Sequence, residues 1–75
     1  MAITRTWQDF AYFLRPGHFY KIMFYDEEIG TTRTEEGWVW RKVRIGFEFE
    51  VIGNEQYTIF IRYRDLRAAQ EILYI

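Results

Sequence analysis

The run from Gly37 to Arg64, GWVWRKVRIGFEFEVIGNEQYTIFIRYR, constrains this chain more than any other part of it. Apolar and polar residues alternate there through two long segments separated by a Gly-Asn turn. Alternation with a period of two sends successive side chains to opposite faces of a strand, so the run predicts a β-hairpin with two different faces. Val43, Ile45, Phe47, Phe49 and Val51 are apolar at odd positions of the first segment, and Tyr57, Ile59, Ile61 and Tyr63 at odd positions of the second. Directly opposed residues share a face, so odd pairs with odd and the loop holds an odd number of residues, supplied by Gly53, Asn54 and Glu55. Val51 then opposes Tyr57, and Phe49 opposes Ile59. Gly46 is a weak strand former and marks a bulge or sharp coil. Trp38 and Trp40 have the opposite parity. Either they are exposed on the polar face, or a bulge near Arg41 and Lys42 turns them inward.

Before this run, Thr6 and Asp9 form a start like a capping box, and Trp7, Phe10, Ala11 and Leu14 make one helical stripe. Pro16 and Gly17 end it, predicting a helix over 7–14. The segment HFYKIMFY, residues 18–25, is apolar almost throughout and predicts a strand covered on both faces. An acidic loop over 26–30 and a short β-branched strand over 31–34 follow, with Glu35-Glu36-Gly37 as a three-residue hairpin loop that pairs Thr34 with Trp38 and Thr32 with Trp40. After Arg64, Asp65 caps a last helix whose stripe is Leu66, Ala69, Ile72 and Leu73. The expected fold is a single α+β domain over 1–75. It is a two-layer sandwich in which an N-terminal and a C-terminal helix flank an antiparallel sheet of three to four strands, order α-β-(β)-β-β-α, on its odd face. The other sheet face stays largely open.

Seventy-five residues bury only about 60% of the surface an unfolded chain exposes, so the core must be dense, and 21% aromatic residues supply that density. The chain has no cysteine, which excludes disulfides, thiolate metal sites and cysteine nucleophiles and suits a cytoplasmic protein, in the host cytoplasm if a phage encodes it. No apolar run reaches the roughly 18 residues of a membrane span, and no secretory signal is expected. Net charge is -1 but uneven: residues 26–36 carry -4. The flanking segments are mildly basic, far from a strongly cationic nucleic-acid binder.

Chemistry-bearing candidates are few. His18 is the single histidine and there is no serine, so Ser-His and Cys-His nucleophilic systems are absent. Glu48 and Glu50 share a strand face at roughly 6.5 to 7 Å, superficially like a glycosidase pair, but such residues diagonal to Arg62 and Arg64 are ordinary cross-strand charge partners. Asp26, Glu27 and Glu28 lack the spacing of an EF-hand loop and read as a solvated turn. No enzyme activity, metal or cofactor is expected.

The polar sheet face carries Trp38, Trp40 and Phe60 among Lys42, Arg44, Arg62 and Arg64, the ingredients of a single-stranded nucleic-acid platform, with Glu48 and Glu50 in the phosphate path. In element order the expected outline resembles the double-stranded RNA-binding domain, but its last helix opens with Asp65-Leu66-Arg67 where that family has a lysine cluster. The same face suits a larger protein partner better. Trp, Tyr and Arg dominate interface energies, and the acidic residues Asp26, Glu27, Glu28, Glu35 and Glu36 add the opposite sign of charge. The expectation is a non-catalytic binder that modulates or inhibits a larger intracellular machine. A short chain opening with Met and lacking a catalytic constellation resembles in general character the small inhibitors carried by phages and mobile elements, anti-CRISPR proteins among them, a likeness of size rather than motif. The alternatives are a nucleic-acid module on the same face, or a structural subunit that forms a homodimer or larger oligomer through it.

Overall fold

The computed structural model describes residues 7–73, with side-chain burial from Phe10 onward. Thr6, and the side chains of Trp7 and Asp9 that would complete the expected helix start, lie outside the described residues. Helix α1 (Trp7–Phe13) matches the expected span, and Leu14 N donates to the Phe10 carbonyl as the turn closes. Five strands follow: β1 (Phe19–Asp26), β2 (Thr31–Lys42), β3 (Gly46–Val51), β4 (Tyr57–Arg62) and β5 (Leu66–Glu71). A 3-10 turn, Tyr63–Asp65, sits between the last two. They form one antiparallel sheet in the order β4-β3-β2-β1-β5.

This corrects the expected sandwich of three or four strands between two helices: the chain is mostly a five-stranded antiparallel sheet with one short helix. The segment expected as a C-terminal helix is β5. Its i, i+3 spacing of Leu66 and Ala69 looks helical, yet a register shift opposite Met23 and Phe24 inserts one residue into the strand. Leu66 therefore opposes Phe24, while Ala69 opposes Ile22. Both then turn to the core side, with Leu66 buried and Ala69 packed against the core.

The expected long strand is also two strands. Val43 N donates to the Gly46 carbonyl at 2.8 Å, closing a tight turn that sends β3 back along β2. Val43 and Ile45 continue the odd parity by coincidence, since both are exposed in that turn. The Glu35-Glu36-Gly37 segment is no loop. It lies inside β2, where Gly37 opposes Val51 and a Cβ would sit 1.9 Å from the Glu50 carbonyl oxygen. Gly37 serves close backbone approach, not a left-handed turn, and Trp38 opposes Phe19 and Glu50 instead of Thr34. The β3–β4 register is as expected, Val51 against Tyr57 and Phe49 against Ile59.

β2 is shared. Residues 31–38 pair with β1 and residues 37–42 with β3, so the stretch around Gly37 and Trp38 has a neighbour on both sides. Bending at this junction curls the sheet, bringing Arg62 of β4 within 3.0 Å of Glu27 in the β1–β2 turn. A flat sheet would hold β1 and β4 about 14 Å apart, at roughly 4.8 Å per strand. The concave face holds the core: Tyr20, Ile22, Val39, Phe47, Phe49 and Ile61, with Phe10 and Leu14 of the α1 segment laid over them. β1 is covered along its length on this face; on its other side Phe19 is buried against Trp38, while Lys21 and Met23 are exposed. No helix among the described residues is long and apolar enough to cross a membrane.

Candidate functional site

The convex face carries the two tryptophans. β2 bulges between Val39 and Arg41, leaving Trp40 unopposed. The two alternatives were exposure or a bulge that turns the tryptophans inward; the bulge is present, yet both tryptophans are exposed. Trp38 packs edge-on against Phe19, ring centroids 4.9 Å apart and planes at 81°. Trp40 is 61% exposed, and its indole Nε1 donates to Glu50 Oε1 at 3.0 Å. Phe60, opposite Glu48 on β4, is 49% exposed. Glu48 accepts from Arg41, which the sequence reading did not place on this face. One extra residue in the bulge reverses the parity beyond it, which puts Arg41 outward and Lys42 inward.

The cations expected among the tryptophans are thereby dispersed. Lys42 faces the core side, opposite Phe47, and its Nζ donates to the Ala11 carbonyl of α1. Arg44 is exposed in the β2–β3 turn, and Arg64 lies in the 3-10 turn, where its carbonyl accepts from Arg67. Arg62 does not meet Glu48 or Glu50. It donates to Asp65 at 3.2 Å and to Glu27 at 3.0 Å. The face is aromatic and of mixed charge, with Arg41 and Lys21 beside Glu36, Glu48 and Glu50, rather than aromatic and basic.

The acidic residues divide as well. Glu36 is exposed on β2, and Glu35 turns to the concave side. There Arg33, which the charge pattern did not single out, ties the cluster together. Its Nη1 donates to Asp26 at 2.8 Å and its Nη2 to the Tyr57 hydroxyl at 3.2 Å, while Nε faces Glu35 Oε2 at 3.3 Å without a well-aligned hydrogen bond. The guanidinium lies 5.1 Å from the Phe24 ring centroid. Asp26 also accepts the backbone N–H of Glu28, which folds the β1–β2 turn. An open groove of about 590 Å³ runs between this turn and β4, with Phe24, Asp26, Glu28, Phe60 and Asp65 in its lining.

Two tyrosines are buried in the core. The Tyr20 hydroxyl accepts from Arg15 N at 2.8 Å and donates to the Phe13 carbonyl at 3.2 Å, tying the end of α1 to β1. Burial pushes its pKa above the ordinary phenol value, against the lowering effect of the Arg15 N–H. Burial likewise raises Tyr63, whose ring stacks on Phe47. Among the described residues no three carboxylates, histidines or cysteines converge in a metal-holding cluster. Compared with protein-family models, curated proteins and solved structures, the chain matches none.

Proposed function

We propose that this chain is a non-catalytic protein-binding module that engages a larger protein through its convex face and modulates or blocks it by occupying a surface. The observation that carries this reading is Trp40, held outward in a bulge by Glu50 on a face that no other described element covers. Exposing an indole to water forgoes a large burial gain, and a bulge that fixes its orientation lowers the entropy lost when a partner covers it. Trp38 and Phe60 extend the patch, and Glu48 and Glu50 give a protein partner polar groups to match. The inward turn of Lys42 and the outlying positions of Arg44 and Arg64 weigh against a phosphate-tracking surface.

The test is capture of binding partners by the chain and by its Trp38→Ala/Trp40→Ala variant, with bound protein and bound nucleic acid measured together. The expected result is a stoichiometric protein lost in the variant while its circular dichroism spectrum stays unchanged. Equal capture by both chains sinks the reading. Nuclease-sensitive nucleic acid lost in the variant, with affinity falling steeply as salt rises, transfers the face to nucleic acid. A mass that grows with concentration in the chain alone, and not in the variant, assigns the face to a second copy.

A further inference from the structure

The groove between the β1–β2 turn and β4 shares Phe60 with the convex patch but neither tryptophan, and β4 is an edge strand. The hydrogen bond from Tyr63 N to the Ile45 carbonyl sets the phase of the β3–β4 ladder. Residues 57, 59 and 61 then direct their backbone groups to β3, while Thr58, Phe60 and Arg62 direct N–H and C=O to the open side. Both inward-facing Ile59 and outward-facing Phe60 line the groove, so it runs along that open side. Edge strands are commonly guarded by charge or proline, yet β4 reads Tyr-Thr-Ile-Phe-Ile before its single charge at Arg62. β5, the other edge, carries Arg67 and Glu71.

The groove is also electrically one-sided. Four carboxylates, Asp26, Glu27, Glu28 and Asp65, line it against two guanidinium groups, Arg33 and Arg62. Among the described residues no cation reaches the Glu28 carboxylate, and that of Glu27, though Arg62 meets it at 3.0 Å, is 69% exposed. The chain itself demonstrates what such a place holds, because Arg33 sits with its guanidinium over the Phe24 ring and on the Asp26 carboxylate. Phe60 and Glu28 offer that combination again at the rim, where no cation among the described residues sits on Glu28, and Glu27 beside them is met by Arg62 alone and stays largely open to solvent.

We propose that this groove takes an extended, arginine-bearing segment of a partner protein, which adds as a sixth strand to β4 and sets a guanidinium between Phe60 and the Glu27 and Glu28 carboxylates. Main-chain hydrogen bonds to Thr58, Phe60 and Arg62 supply the docking, and the acidic rim supplies selectivity for a basic side chain at alternate positions. The proposal does not depend on the tryptophan face.

The probe is a capped hexapeptide of alternating valine and arginine, titrated into the ¹⁵N-labelled chain, with the analogue carrying glutamate in place of arginine as control. Amide shifts at Thr58, Phe60, Arg62 and residues 27–28 are expected, with the glutamate analogue silent. Glu27→Gln/Glu28→Gln, two substitutions in an exposed turn that leave the fold intact, should weaken binding about tenfold. Trp38→Ala/Trp40→Ala should bind the peptide as the parent chain does, which separates this site from the convex face. The proposal is overturned by absence of shifts at millimolar peptide, by equal binding of the glutamate analogue, or by undiminished binding in the double glutamine variant. It is equally overturned if β4 amides are already shielded by a second copy, seen as a mass that rises with concentration.

Discussion

The concave face is closed in two different ways. Around Tyr20, Val39 and Phe47 a helix covers it, with Phe10 and Leu14 buried and the Tyr20 hydroxyl satisfying both a donor and an acceptor at the helix end. Around Phe24 and Tyr57 no helix reaches, and the stem and guanidinium of Arg33 take the place of a core side chain. The contrast follows from size, since seven helical residues extend only about 10 Å and cannot span both. What the helix leaves over must be covered by long side chains whose polar ends stay wet, which is what Arg33 does among Asp26, Glu35 and Tyr57. One region is dry and structural, the other hydrated and open to exchange of partners.

Gly37→Ala should erase the comparison altogether. The added Cβ meets the Glu50 carbonyl oxygen at the residue where β2 passes from one half of the sheet to the other, so loss of cooperative unfolding and of dispersed amide signals is expected. Phe10→Ala breaks the dry region alone, with a loss of about 3–5 kcal/mol in denaturant melts, a large share of the roughly 5–15 kcal/mol that holds a small domain together. Arg33→Ala breaks the wet region and should cost less, about 1–3 kcal/mol, because Asp26 and Glu35 lose their partner but keep access to water. A cost from Arg33→Ala equal to that of Phe10→Ala would show the two closures to be equivalent.

The smallest effect is confined to alkaline pH. Tyr20 and Tyr63 have folded pKa values raised above the unfolded value of about 10, so their contribution is complete below that pH and is lost as pH rises through the raised values. Stability should fall more steeply above pH 10 in the parent chain than in Tyr20→Phe/Tyr63→Phe, although the variant starts lower for want of the Tyr20 hydrogen bonds. Parallel curves would place that loss elsewhere.

Much of the dry region is legible in the sequence and little of the wet one. The stripe of Phe10, Ala11 and Leu14 identifies the helix, and parity alone sets the register of Phe49 against Ile59. Two of the departures share a cause. A bulge changes parity by one residue, and sequence periodicity cannot see it. At Trp40 a bulge moves Lys42 from the patch to the core side, and in β5 another makes a strand imitate a helix by spacing Leu66 and Ala69 three apart. The turn over Val43, Arg44 and Ile45 has Gly46 as its one marker, and the apolar alternation runs straight through it. Arg33 was hidden because a lone cation in an acidic stretch looks like solvent-exposed charge balance. Only the curl of the sheet, which brings Tyr57 to it, shows otherwise.

The position of β5 in the sheet bears on the order in which this molecule can be made. β1 finds one neighbour as soon as residue 38 has emerged from the ribosome, but its other neighbour is the last of the described strands, and His18 meets Glu71 across 53 positions. Until residues 66–71 emerge, one side of β1 therefore remains an unpaired template, and closure waits on a long loop with its entropy cost. Chains released before Leu66 would carry that template into solution, where another nascent copy can use it. Translation of residues 66–71 is thus also the step that protects the first strand.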